Sequence, residues 1–326
     1  SVDMNQAGDR VIVGAYYSNS YTRYVSSSNN DKHAAYSRKG AVFIFDLTEA
    51  TDGSGAPDAH TSTWNLSHPM IIGEHSNDYF GIAVAINAKG DRISVGATGS
   101  DTPLLDNKNT SIHNNSGHVR IFEERTVSQS EWDSYNTTDM LSSTGFPILI
   151  ANGSTTYDPT KKYWIQLEED LQGETTSAQF GRSVDLDSDG KTVIIGSTNN
   201  KEAEAYFLRD FTAAPTPQPT ASPTPTPTPS DQIGQDLTST DTRFGNSVAV
   251  NSDGTIIAVG ADQASNYRGS VKVFEYNSAT ESWGQKGSTI IPDQGYSTGT
   301  TYGARWGTSV SLNAAGDRIA IGGRHY

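Results

Sequence analysis

The sequence predicts an all-β fold, a β-propeller of four-stranded blades. Three observations carry that prediction: a hairpin pattern that recurs along the chain, glycine-led and tryptophan-led apolar runs that follow it at fixed places, and a composition rich in turn formers. The copies read SVDMNQAGDRVIVGA from Ser1, FGIAVAINAKGDRISVGA from Phe80, FGRSVDLDSDGKTVIIGS from Phe180, FGNSVAVNSDGTIIAVGA from Phe244 and WGTSVSLNAAGDRIAIGG from Trp306. Self-similarity at a regular interval is the signature of a repeat architecture. The aromatic starts at 80, 180, 244 and 306 stand 100, 64 and 62 residues apart, so the unadorned unit is the short one.

Each copy supplies two strands. An alternating run such as Ser247-Val248-Ala249-Val250 meets a second such as Ile256-Ile257-Ala258-Val259 across a turn at Asp253-Gly254, which is the pattern of a β-hairpin. A third run opens on glycine at Gly40, Gly117 and Gly269; in the Phe180 unit its counterpart is Ala205-Tyr206-Phe207-Leu208. The fourth begins at Trp64, Trp164 and Trp283 and leads to the next aromatic-glycine pair. Four strands per unit of about 60 residues make a propeller blade. Phe80, Phe180, Phe244 and Trp306 are expected to be core between blades, and Gly90, Gly190, Gly254 and Gly316 to sit at turns needing positive φ. No glycine motif has the strand-to-helix context of a phosphate cradle.

Composition narrows the function. The 326 residues are 34% hydrophobic and 18% charged, with 31 Gly, so the surface is polar mainly through uncharged residues. A net charge of −14 disfavours a polyanionic partner, and nucleic acid is not expected. With no cysteine, disulfides, thiol catalysis and cysteine-ligated zinc are excluded. No apolar run approaches the roughly 20 residues of a membrane helix, and no leader opens the chain.

The units resemble the FG-GAP repeats that form the propeller of integrin α subunits and of many secreted and cell-surface proteins, including large ones of algae and other protists. The resemblance spans nearly the whole chain. It rests on Phe-Gly at 80–81, 180–181 and 244–245 and on Gly-Ala at 14–15, 96–97 and 260–261; the family's proline after Gly-Ala is replaced by Tyr16, Thr98 and Asp262. The family commonly has seven blades, and this chain holds about four and a half, so it reads as part of a larger ring or assembly. Residues 1–211 carry blades one to three, 212–232 a Pro/Thr-rich segment, and 233–326 blade four and the start of a further blade. Unpaired edges invite pairing with a neighbouring chain.

The resemblance also implies calcium loops. Asp185, Asp187 and Asp189 alone match in part, with carboxylates at alternate positions before Gly190, a pattern suited to a hard cation. Lys191-Thr192-Val193 then brings no acidic residue to complete a shell. A solvated hairpin whose Asp and Asn side chains satisfy backbone groups is the competing reading.

Two insertions enlarge the second blade, at 101–115 and between Phe122 and Trp164, and decoration of variable length is expected of them. The Thr-Pro alternation from Thr212 to Ser230 predicts polyproline II in place of the fourth strand of blade three. Its composition matches O-glycosylated stalks and hydroxyproline-rich glycoproteins, with Thr216, Thr220, Ser222, Thr224, Thr226, Thr228, Pro223, Pro225 and Pro227 as candidate positions. N-glycosylation acceptors occur at Asn65, Asn109, Asn114, Asn136 and Asn152. The seven histidines show no metal spacing, His33, His60 and His113 reading as solvated loop residues, and no hydrolytic motif is present. The expectation is a non-enzymatic, extracellular structural protein that binds other chains, among them its own copies in a fibre, or glycans. The alternatives are an adhesion module and a polysaccharide-active enzyme.

Overall fold

In the computed structural model of the chain, the described residues are 1–18, 20–22, 34–36, 38–51, 54, 57–67, 70–73, 77–99, 102–105, 111–113, 115–135, 149–150, 157–167, 170–208, 232–292 and 303–324. They form a propeller of antiparallel sheets, one per repeat. Blade one pairs Val2–Met4, Arg10–Ala15, Ala41–Thr51 and Pro57–Leu66 in that order. Blade two runs Ala83–Ile86, Arg92–Ala97, His118–Arg125 and Tyr163–Gln166, blade three Phe180–Leu186, Thr192–Ser197, Glu202–Phe207 and Leu237–Thr238. Blade four runs Phe244–Val250, Ile256–Ala261, Ser270–Asn277 and Ser282–Gln285, and the fifth repeat contributes the hairpin Ser309–Leu312 with Ile319–Gly322.

A sheet buried on both faces needs apolar residues in both registers, and blades two to four, which have a neighbour on each side, are packed this way. Ile12, Val42 and Ile44 of blade one meet Val84, Ile86, Ile93 and Val95 of blade two. Ala83, Ala85, Val119 and Ile121 then meet Val184, Leu186, Val193 and Ile195 of blade three. Each interface sets bulky residues of one blade's first two strands against smaller or mixed residues of its predecessor. Three of the four repeat aromatics close the layer as expected: Phe80, Phe180 and Phe244 are buried, each edge-on to an aromatic ring of its own third strand, Phe122, Tyr206 and Phe274, whereas Trp306 of the fifth repeat is half-buried.

The Gly-Ala glycines have a tighter role than a turn. A Cβ on Gly96 would lie 2.1 Å from the Gly181 carbonyl oxygen, and Gly14, Gly196 and Gly260 stand in the same relation to Gly81, Gly245 and Gly307. Backbone of one blade therefore touches backbone of the next.

The turn between the first two strands is wider than a tight Asp-Gly pair. It spans 251–255 in blade four, where the Asn251 side-chain oxygen accepts from the amides of Thr255 and Ile256 at 2.9 Å. Asn5 and Asn87 do the same in blades one and two. Gly90, Gly190, Gly254 and Gly316 all have positive φ, as the sequence predicts. The turns are also joined to one another. Gln6 N donates to Ala88 O at 3.2 Å, and Ala88 N to Ser188 O, Ser188 N to Ser252 O and Ser252 N to Ala314 O, each at 3.1 Å.

Three expectations change. The third strand of blade three starts at Glu202, not at Ala205; Glu202 and Glu204 interrupt the apolar run at places that hold Ala41, His118 or Ser270 and Phe43, Arg120 or Lys272 in the other blades. Lys201 takes the place of the opening glycine with φ 60°. The Phe122–Trp164 insertion is more than decoration. A helix, Gln129–Tyr135, plants Trp132 against Val127, Tyr163 and Ile165, and Leu149–Ile150 adds a further strand beside Tyr163–Gln166. His60 falls in the strand Pro57–Leu66 and His113 in the strand Ser111–His113, so neither is in a loop. In blade three no tryptophan-led strand is found among the described residues; a single bridge, Tyr206 to Gln232, stands there.

Glu204 is the cost of this substitution pattern. It is 9% exposed, receives a hydrogen bond from the Tyr206 hydroxyl, and burial pushes its carboxyl up to about 7. The folded state thus holds a proton that the unfolded chain releases near pH 4.5, so stability is greatest below that value and declines as pH rises through about 7. Glu204→Gln is expected to shrink the stability difference between pH 5 and pH 8 by about 1–3 kcal/mol, measured by chemical denaturation at the two pH values. An unchanged difference would show that Glu204 is not the group responsible.

Candidate functional site: the axial channel

The first strands of all five repeats lie side by side around a common axis, because their alternation puts one set of side chains into each neighbouring interface and leaves the strand starts at the centre. A channel of about 170 Å³ opens there, lined in successive tiers. The residue after each aromatic-glycine pair forms the outermost tier: Ile82, Arg182, Asn246 and Thr308. The next tier holds Ser1, Ala83, Ser183, Ser247 and Ser309, and then come valines at 84, 184, 248 and 310. The serines are structural: Ser1 Oγ donates to Gly81 O at 3.1 Å, and Ser183 and Ser247 donate to Gly245 O and Gly307 O at 2.9 Å.

Before each aromatic-glycine pair stands a residue with left-handed backbone: Tyr79, Gln179, Arg243 and Arg305, at φ 56°, 57°, 59° and 45°. Such a conformation costs a non-glycine residue roughly 1–2 kcal/mol and persists only where its surroundings hold it. It is held by the bond pattern that starts the strand, and it brings two arginines to the same mouth. Asp262, 1% exposed, lies 3.5 Å from Arg243 and 3.5 Å from Arg305. Neither of its oxygens has a hydrogen bond among the described residues.

The three aspartates considered for calcium are placed apart in function. Asp185 turns toward blade four, where Oδ2 accepts from Val250 N at 2.8 Å while Oδ1 accepts from Leu186 N. Asp187 takes the asparagine's place in the turn and accepts from Lys191 N at 2.7 Å. Asp189 is exposed on the turn. Among the described residues no group of three or more His, Asp or Glu is gathered as a metal site. Asp185 instead has a twin. Asp3 makes the same clasp from blade one to Ile86 N at 2.8 Å. Burial raises both carboxyls, and Asp185, with Asp3 and Asp187 adding to the effect, reaches about 7.

Asn65 is exposed in its strand and its amide donates to Thr48 Oγ1 at 2.9 Å. The acceptors at 109, 114, 136 and 152 and the Pro/Thr positions 216–228 lie outside the described residues. The sequence reading overlooked Arg182 and the Asp3 clasp. Both had a signal: Ser-Val-Asp is shared by copies one and three alone, and the residue after the aromatic-glycine pair differs in every copy that has the pair.

A shallow groove lies beside the bridge of blade three, lined by Phe207, Gln232, Ile233, Tyr276 and Glu281. It marks the place that Pro57–Leu66, Tyr163–Gln166 and Ser282–Gln285 fill in the other blades; in blade one Trp64 stands near the end of that strand and not at its start. Trp283 borders it, its Nε1 donating to Ile233 O at 2.7 Å.

No family model matches the chain. No curated protein matches it in sequence. Among solved structures it is similar to Kuenenia stuttgartiensis hydrazine synthase, at 10% identity and a TM-score of 0.41 over 98% of this chain and 54% of that one. A functionally unknown protein from Desulfotomaculum acetoxidans gives 9% and 0.45, covering 98% and 61%. The β-propeller domain of Myceliophteria thermophila Cps50 (Swd1) gives 11% and 0.33, covering 99% and 91%. This chain thus spans 54% and 61% of the length of the first two. The likeness concerns the fold alone, and the assignment of this chain as a propeller stands on its own sheets.

Proposed function

We propose that the chain is a non-enzymatic propeller module of the FG-GAP type that works by blade-to-blade assembly, outside the cell, as a subunit of a surface filament or matrix. The observation that carries this reading is the uncovered face of blade one. Val2 and Met4 are 69% and 54% exposed, whereas Val84 and Ile86, at the same places in blade two, are 7% and 6% exposed. The series of turn hydrogen bonds is open at both ends in the matching sense. The Gln6 carbonyl and the Ala314 amide have no hydrogen bond among the described residues, and each is the partner the other lacks.

The far face of the fifth repeat offers Ser309, Ser311 and Ala320, all exposed, which correspond to the small residues that meet bulky ones at the interior interfaces. In this proposal the occupant of the first face is a sheet of this repeat type from a second copy of the chain. Sequence composition supports the extracellular setting through the Pro/Thr tract and the Asn-X-Ser/Thr acceptors.

Sedimentation velocity across a concentration series, with electron microscopy of native material, tests the proposal. Concentration-dependent association, weakened about tenfold or more by Met4→Glu with unchanged circular dichroism, is the expected result. A chain that stays monomeric at every concentration, or associates equally well with Met4→Glu, overturns assembly through this face.

A further inference from the structure

The aromatic-glycine mouth of the channel collects positive charge in a chain whose net charge is −14. Arg182 lines the channel between Ile82 and Asn246, on the first strand of blade three. Its guanidinium makes no hydrogen bond or ion pair among the described residues. Arg243 approaches from the start of blade four, donating to Asn246 Oδ1 at 2.8 Å, and Arg305 from the start of the fifth repeat. Arg324 follows the last strand, at the position that Asp262 holds one blade earlier. Burial, and then the like charges of Arg243 and Arg324, make Arg182 a weaker base than an ordinary arginine. Asp262 is the one carboxylate among the charges that act on Arg182, and Arg243 and Arg305 already share it at 3.5 Å.

Cations held together against their mutual repulsion, with one guanidinium unpaired, describe a place prepared for negative charge. We propose that this mouth is an oxyanion site, in which Arg182, with Arg243 and Arg324 behind it, receives a carboxylate or sulfate group. The guanidinium fork matches the two oxygens of either group, which a lysine would meet only as a point charge. Asn246 and Thr308, at the equivalent positions of the next two repeats, supply neutral polar neighbours. At about 170 Å³, the channel is smaller than the roughly 300–1,000 Å³ pockets that enclose whole small molecules. It accepts a single charged group presented at its mouth while the rest of the ligand stays outside. The assignment is independent of the assembly face on blade one, which lies on the outer side of the first sheet.

Isothermal titration with sodium sulfate, and separately with sodium galacturonate, at constant ionic strength balanced by chloride, tests the site. Saturable binding of at least one of the two is expected, weakened about tenfold or more by Arg182→Met, less by Arg182→Lys, and measurably by Arg324→Gln. Near-ultraviolet circular dichroism and the thermal midpoint report whether each variant keeps its fold. Preference for sulfate identifies a sulfate ester as the group received, and preference for galacturonate a carboxylate. Absence of saturable binding by either anion in the native chain, or equal affinity in folded Arg182→Met and Arg324→Gln, overturns the proposal.

Discussion

Gly96→Ala is expected to destabilise the protein by about 3 kcal/mol or more, the upper range of overpacking, although it adds a single methyl group. The new Cβ would stand 2.1 Å from Gly181 O, 3.0 Å from Gly181 C and 3.2 Å from Gly181 Cα. These are backbone atoms of another blade, so no rotamer change relieves the clash. Blades two and three must separate, and the contacts of Ala83, Ala85, Val119 and Ile121 with their partners loosen together. Gly284→Ala is the matched control. That glycine lies in a strand with nothing within 4 Å of the added carbon, and its replacement should change stability little or raise it slightly. Denaturant unfolding of the two variants compares them directly; equal midpoints would mean that the blades do not approach as closely as described.

Arg10→Met is expected to cost about 3–5 kcal/mol, the range for removing one partner of a buried ion pair. Arg10 holds three things at once. Its Nε and one terminal nitrogen grip Asp46 in its own blade at 2.6 and 2.9 Å, the other terminal nitrogen reaches Glu124 of blade two at 2.7 Å, and the same nitrogen donates to Gly90 O at 2.8 Å. Glu124 is 6% exposed in its side chain, so the methionine variant keeps a buried carboxylate and loses this cation. Methionine retains much of the packing volume, which isolates the charge effect. The loss should be read by denaturant unfolding at pH 7 beside Arg10→Lys, which keeps the charge and should lose less; an equal loss in the two variants would show that charge is not what Arg10 contributes.

Much of the architecture was legible because it is periodic. The aromatic-glycine pair, the turn glycine and the glycine-led third run each recur at one structural place, and a recurring place is a structural demand that a single sequence displays several times. What escaped was whatever broke the period. Glu202 and Glu204 hid the start of a strand, since a carboxyl kept near neutrality by burial is written in the sequence as a charge. Trp132 gave no hint of its burial because two of its partners, Tyr163 and Ile165, are separated from it by the rest of the insertion. The aspartates were recognised as a cluster by spacing, but spacing along a strand end does not reveal that Asp185 faces one blade and Asp187 its own turn. The channel arginines lie far apart in the chain, and only the closeness of the repeats around the axis brings them to one mouth.

The line of turn hydrogen bonds from Gln6 to Ala314 has a further consequence for how the molecule comes apart. Interior blades have a neighbour on each side, whereas blade one and the fifth repeat have one each among the described residues, so the free energy is a sum of nearest-neighbour couplings more than a property of any sheet alone. Opening should begin at whichever blade lacks a neighbour and travel inward. A partner that caps either end would therefore slow the loss of every blade behind it, including those it never touches.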